Sequence, residues 1–407
     1  MSFRISRRYF SRQSYDAIVI GGGHNGLTAA AYLAKAGKKV CVLERRHVLG
    51  GAAVTEEMVP GFRFSRASYL LSLLRPVVMQ ELNLKKFGLR YHIRNPNSFT
   101  PIRGTNESLL LGMDMAENQK EIAKFSQRDA ENYPKYEHFI SEVVHAFEPL
   151  MDYEPLDLQR PIHKLLPHLY LLFKTVQPLG LRNAVDFYEL MTAPISKIMN
   201  KWFESDVLKA TLGTDGVIGL AASPMDPGTG YVLLHHVIGG LDEHKGAWGY
   251  VYGGMGAVSE AIAECAKSHG AEIYTEQEVQ EVILDGNVAR GVRLANDGEW
   301  TEEKKKEYAK HVFSEIDAYA PNFSSSVIGY DILTPPDIQN TFGITGGNIF
   351  HGSMSLDQLY LARPISKWSN YSTPIDSLYL CGSGAHPGGG VTGAPGRLSA
   401  LHALKHI

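Results

Sequence analysis

With 407 residues, 44% of them apolar and 20% charged, the chain has ample material for a core and is long enough for two domains or one large α/β domain with insertions. Its formal net charge of −3 gives no electrostatic reason to expect nucleic acid as a partner. The three cysteines, Cys41, Cys265 and Cys381, form no CxxC or CxxxxC pair, which excludes a dithiol redox centre and a structural zinc; Cys41 and Cys381 lie in apolar runs and are expected to be buried core thiols in a reducing compartment.

Residues 1–14 differ from everything after them. Arg4, Arg7, Arg8 and Arg12 sit among serines and apolar side chains, with no acid before Asp16. That is the composition of a mitochondrial transit peptide, and Arg8-Tyr9-Phe10-Ser11 looks like a matrix-processing site; the alternative is a solvated basic tail. No apolar stretch reaches about 18 residues, so a membrane-spanning helix is not expected.

Residues 17–53 spell a dinucleotide-binding βαβ unit. A short apolar strand, Ala17–Ile20, enters a turn at Gly21, Gly22 and Gly23, an Ala-rich helix pattern covers 25–35 and stops at Gly37, and a second strand, Val40–Leu43, ends on Glu44. Gly21 permits the tight turn, Gly23 removes a Cβ so that backbone N–H groups can approach a pyrophosphate, and Gly26 lets the helix pack closely on the strand. Glu44, 18 residues beyond Gly26, stands where a carboxylate accepts hydrogen bonds from a ribose and repels a 2′-phosphate. After it, Arg45 leads to a second glycine pair, Gly50 and Gly51, six and seven residues past the acid. This resembles the extended fingerprint of FAD-binding oxidoreductases and favours FAD over NAD.

The middle of the chain is less punctuated. Ile122, Phe125, Tyr133, Tyr136, Phe139, Ile140, Val143, Val144 and Phe147 recur at three- and four-residue steps, which predicts amphipathic helices. Residues 120–210 read as a helical insertion covering a cleft, whose aromatic content is either plain core or a membrane-surface contact. Residues 221–256 are rich in Gly, Pro and aromatics and read as loops lining a pocket. Adjacent His235 and His236 would point to opposite faces of a strand, and no acidic or cysteine partners accompany them, so no metal site is expected. A helix over 257–268, a strand over 272–275 and a hairpin around Asp285-Gly286-Asn287 follow.

An apolar strand over 377–380 then leads into a loop from Gly382 to Arg397 that holds seven glycines in sixteen residues, and a helix pattern over 398–404 ends the chain. So many glycines imply positive φ or close backbone contact. A second strand, glycine loop and helix suggest another wall of the same cofactor site. His386 within the loop is either a flavin-proximal proton donor or a turn residue.

The N-terminal βαβ unit, the block at 253–273 with Val279 beyond it, and the closing Cys381-to-Arg397 loop together resemble the phytoene desaturase-like flavoproteins, FAD-dependent two-domain relatives of the amine oxidases. Residues 334–364 strengthen the match toward one animal member. The resemblance implies an α/β fold: a Rossmann-like FAD-binding domain with a helical and mixed-sheet substrate domain. It implies that Gly21, Gly22, Gly23 and Gly26 hold the pyrophosphate, Glu44 and Arg45 the adenosine ribose end, Gly50 and Gly51 the phosphates, Val279 the adenine, and Gly382, Gly384, Gly390 and Val391 the flavin end. Where the family often has an acid after the glycine of the last motif, this chain has Ser383. The chain divides into the leader, an FAD-binding part at 15–110, a helical cap at 111–250, a return to the FAD domain at 251–300, a substrate-domain remnant at 301–364 and the closing motif at 365–407. At 297–300 the hairpin pattern passes at once into a charged helix pattern over 299–310, so the substrate domain is expected to be truncated.

These features predict an FAD-dependent oxidoreductase that removes a hydride from an apolar small molecule in mitochondria, passing electrons to oxygen, a quinone or a protein partner. Alternatives are a catalytically inactive FAD-binding regulator of a mitochondrial partner and an NAD-dependent dehydrogenase. No catalytic base is legible.

Overall fold

A computed structural model describes residues 14–156, 161–294, 309 and 312–407. The basic leader with its processing site, the junction at 297–300 and all of the charged segment over 299–310 except Ala309 lie outside the described residues.

The predicted βαβ unit forms. Ala17–Ile20 pairs in parallel with Val40–Leu43, Ala17 opposite Val40, and Glu272–Tyr274 joins the far side of Val40–Leu43, Glu272 opposite Cys41. Val40–Leu43 is the central strand and is buried at every position, which is why it reads as a continuous apolar run. The helix His24–Lys35 is buried along its length up to Ala34. It is clamped between the helix Gly256–Ser268 and the terminal helix Ala394–Ala403. Its alanines allow both neighbours to come close. Val19, Leu27, Val42, Val258, Ile262 and Ala400 join in one core beneath the sheet.

The strand expected over 377–380 does not form. Ser377 lies at φ +63°, and the chain there is held by the hairpin Val279–Asp285/Val288–Leu294 instead: Asp376 N donates to Asn287 O (2.9 Å) and Ala289 N to Asp376 O (3.0 Å). Within the run, Leu378 N donates to Ile375 O (3.3 Å) and Leu380 N to Tyr371 O (2.8 Å), so its backbone groups are spent locally and not on the sheet. Among the described residues Ala17–Ile20 is left as an edge strand, with Ile18 38% and Ile20 45% exposed. The double substitution Ile18→Thr, Ile20→Thr is expected to leave the melting temperature nearly unchanged and to lower the fluorescence of a bound apolar dye, because it removes exposed rather than buried apolar surface. A large loss of stability would mean that these side chains are covered.

A second core lies within the predicted helical region. The helices Met115–Ala123, Gln127–Phe147, Ile195–Trp202 and Asp206–Gly213 bury Ile122, Tyr133, Tyr136, Ile140, Ile198 and Leu208. Asp114 caps the first of these, accepting from Ala116 N (2.8 Å) and Glu117 N (3.1 Å). Fully buried Asp129 accepts from Glu204 N (2.9 Å) and Ser205 N (2.8 Å), which pins the start of Asp206–Gly213 to the long helix. Residues 221–256 are not all loop: Thr229–Val237 is a helix. It is buried over Thr229 to His236, so its apolar run shows no 3.6-residue period, which is why it could not be distinguished from a pocket-lining loop. On Ile162–Val176, Leu166, Leu169, Tyr170 and Phe173 are exposed. No helix among the described residues is long and apolar enough to cross a membrane.

Candidate functional site

The first glycine turn has the geometry its sequence implies. Gly21 sits at φ +95°. A Cβ on Gly26 would lie 2.1 Å from Gly21 O, so nothing larger than hydrogen fits between helix and turn. A Cβ on Gly23 would meet nothing nearer than 3.9 Å. The approach to Gly23 is therefore open, and the helix that begins there has no side-chain cap, leaving first-turn N–H groups for a phosphate. Gly50 and Gly51, both at positive φ, lie against this turn: Gly50 N donates to Gly22 O at 2.8 Å, and a Cβ on Gly51 would come within 3.2 Å of Gly23 Cα.

Glu44 is buried, and its carboxylate faces the turn. One oxygen accepts from Gly22 N at 2.7 Å and the other from Arg46 N at 2.8 Å. Each oxygen keeps a lone pair for a ribose hydroxyl. Gln277 N donates to Glu44 O (2.8 Å), which brings Val279, two residues on, to the same end of the sheet. Arg45 donates to Asn340 O (2.6 Å) and lies 3.9 Å from Glu278. It braces residues 334–343 against the strand end.

The closing loop meets this turn. Asn25 Nδ2 donates to Ser383 Oγ at 3.0 Å across 358 residues of chain, and Gly396 is so close to the first helix that a Cβ there would lie 2.1 Å from Asn25 O. Gly382 and Gly384 have nothing within 4 Å on their side-chain side, whereas Gly390, at φ +101°, backs onto Leu73 and His235. Val391 packs on the first core. Two polar atoms where the loops meet, His24 Nε2 and Asn25 Oδ1, are buried with no protein partner. Open glycines and orphaned polar atoms fit a dinucleotide held between the two loops.

The sequence profile of the NAD(P)-binding Rossmann-like domain matches residues 19–82. Pyridine nucleotide-disulfide oxidoreductase domain-containing protein 2 of Rattus norvegicus is 42% identical over 540 aligned positions, which take in 96% of this chain and 93% of the rat protein. The chain belongs to this family. Phytoene desaturase of Cercospora nicotianae is 30% identical over 68% of this chain and 42% of that protein. Among solved structures, an oxidoreductase from Methanosarcina mazei is similar over 96% of this chain and 99% of its own, at 15% identity and a TM-score of 0.49.

The rat alignment is far longer than the chain itself while taking in nearly all of both proteins, so a long internal stretch of that relative has no counterpart here. The word disulfide in the family's name has no match either, since all three cysteines are free. Cys41 and Cys265 are buried; Cys381, expected in the core, is only half-buried because its strand does not form.

Arg363 was not singled out by sequence, and it is the largest fully buried side chain. Its guanidinium donates to Ser353 O (3.0 Å), Gln358 O (3.3 Å), Ser383 O (3.1 Å) and Phe350 O, all backbone carbonyls. Its cation therefore sits beside the closing loop with no carboxylate among these partners. Burial, and secondarily this cation, hold His386 down at about 4; burial, His236 and Arg363 hold His235 at about 3. Burial likewise brings His24 down to about 4. His386 Nε2 donates to Leu150 O at 3.0 Å, which ties the loop to the cap, and its Nδ1 is buried without a protein partner. His235 and His236 lie on a helix, not a strand, and point different ways, His236 to Asp215 O (2.9 Å).

Those three histidines make the fold acid-sensitive. Their folded pKa values lie below the unfolded 6.5, so the unfolded chain binds more protons and stability falls as pH drops from about 6.5 toward 4. At pH 5 each costs about 2 kcal/mol relative to pH 7. Urea midpoints should drop steeply between pH 7 and 5; a flat profile would contradict the burial of these rings.

Proposed function

We propose that the chain is an FAD-dependent oxidoreductase of the dehydrogenase, oxidase or desaturase type, acting on an apolar small molecule in the mitochondrial matrix. One juxtaposition carries the reading: the Asn25–Ser383 contact that closes two glycine loops on each other. FAD is favoured over NAD by Gly50 and Gly51, which complete the extended fingerprint of FAD-binding oxidoreductases and lie against Gly22 and Gly23, where the chain can pass over the pyrophosphate. When bound, FAD would accept the hydride and pass electrons to oxygen, a quinone or a protein partner. Gly23 and the uncapped helix start would hold phosphate, Glu44 the ribose, and Gly382 and Gly384 would let the backbone approach the flavin end. Arg363 fixes that loop's shape, and burial keeps His235 and His386 beside it neutral.

Mitochondrial location is supported by the arginines of the leader. Contact with a membrane surface is supported by exposed Leu166, Leu169, Tyr170 and Phe173. A second reading, a catalytically inactive FAD-binding regulator of a mitochondrial partner, is favoured by the stretch missing relative to the rat protein.

The test is to purify folded protein, denature it and separate the released chromophore. FAD near one per chain is expected. A colourless protein that refuses added FAD, or one that yields NAD, would sink the proposal. Bleaching of the bound flavin by an added substrate would separate the enzyme from the regulator.

A further inference from the structure

A cavity of about 810 Å³ lies in the cap, between the long helix Gln127–Phe147, the helix Thr229–Val237 and the hairpin of Ser98–Pro101 with Ser108–Leu111. Its lining includes none of the glycines of the dinucleotide cradle. The helix Thr229–Val237 separates the two. Leu233 and Val237, one turn apart, face the cavity, whereas His235 backs onto Gly390. The volume is within the range of small-molecule pockets, roughly 300–1,000 Å³.

The chemistry of its walls is specific. Tyr133, Tyr136 and Trp248 supply aromatic surface, and Tyr69 and Phe99, 66% and 64% exposed, stand at its rim. Among the described residues the Arg94 side chain makes no hydrogen bond or ion pair; its backbone N–H donates to Trp248 O (2.7 Å), but its Nε is buried with no partner. Three acidic residues line the cavity, Glu137, Asp215 and Glu243, and its other cation, Lys245, is paired with Glu148. Burial pushes Glu137 and Asp215 upward, toward their neutral forms, and Arg94 acts on Asp215 electrostatically without being bonded to it. A guanidinium with unused donors, aromatic walls and disfavoured carboxylates form a receptor for a carboxylate on an apolar body.

We propose that this cavity binds a small apolar carboxylic acid, with its carboxylate on Arg94 and its hydrocarbon against Tyr133, Tyr136 and Trp248. The site goes beyond the dinucleotide reading and does not rest on it.

The experiment titrates full-length protein with octanoate, octanamide and octylamine, which share one apolar body and differ in head group. Tryptophan fluorescence and calorimetry report binding whatever nucleotide the protein carries, so the outcome is independent of the chromophore test. Octanoate should bind about tenfold more tightly than octanamide or octylamine, the worth of one charge-assisted contact. Arg94→Gln should remove that preference and leave octanamide unchanged, and Arg94→Lys should keep part of it. Melting curves of both variants confirm that they fold. The proposal is overturned if octylamine binds best, which would make the cavity's acids, Glu137, Asp215 and Glu243, the recognition groups. It is equally overturned if Arg94→Gln leaves octanoate affinity intact, or if none of the three probes binds.

Discussion

Gly396→Ala is expected to pry the terminal helix from the first helix and to abolish retention of a flavin nucleotide. A Cβ at this position would stand 2.1 Å from Asn25 O and 3.0 Å from Asn25 C. Those obstacles are backbone, so no side chain can swing aside; one helix must move by more than the slack that packing allows. Helix propensity works in the opposite direction, since alanine is favoured over glycine by about 1 kcal/mol in a helix interior. Overpacking costs of roughly 1–3 kcal/mol or more outweigh that gain. The displaced group is also the first turn of the helix that would receive the phosphates, so nucleotide binding suffers beyond the loss of stability. Gly384→Ala is the contrast. It has nothing within 4 Å and no positive φ, so it should melt like the parent while weakening FAD binding if the loop's open side faces the ligand. Thermal melting with flavin content of both variants checks this; a stable, yellow Gly396→Ala protein would refute the contact.

Arg363→Met is expected to detach residues 350–358 from the closing loop and to cost at least about 3 kcal/mol. Arg363 is 1% exposed and satisfies carbonyls of Phe350, Ser353, Gln358 and Ser383, none of them in a strand with a ladder to join. Hydrogen bonds from a charged donor contribute about 1.5–3 kcal/mol each, and the orphaned carbonyls add a desolvation cost. Removing a buried cation offsets part of this, because desolvating it was itself unfavourable. The losses win because they are several and the charge is one. Arg363→Lys should be intermediate, as one ammonium cannot span four carbonyls. Limited proteolysis should show new cleavage between residues 344 and 364 in Arg363→Met, together with a lower urea midpoint. Unchanged protection would mean that the segment is held by its apolar contacts, Phe350 and Met354 against Tyr231 and Val232.

Much of the first glycine site was legible because its rules are local. Positive φ at Gly21, the tight fit at Gly26 and the carboxylate at the end of a central strand all follow from spacing within one βαβ unit. The amphipathic helices were legible for the same reason, since a half-buried helix writes its period into the chain. A fully buried helix, Thr229–Val237, writes none, and so passed for loop.

Other features depended on which partner reached a segment first. The run at 377–380 has strand composition, yet the hairpin holds Asp376 before it, Leu378 and Leu380 bond to Ile375 and Tyr371, and the sheet edge stays open. Arg363 reads as one cation among many, and only its burial among loop carbonyls gives it a role. Arg94 likewise becomes a candidate receptor only because the cap folds around it and supplies no acid within bonding distance. By itself the chain determined a dinucleotide-binding turn, because backbone dihedrals and helix ends are properties of neighbouring residues. Tertiary structure decided where the distant glycine loop lands and which charges are left unpaired, because burial and desolvation are set by residues hundreds of positions away.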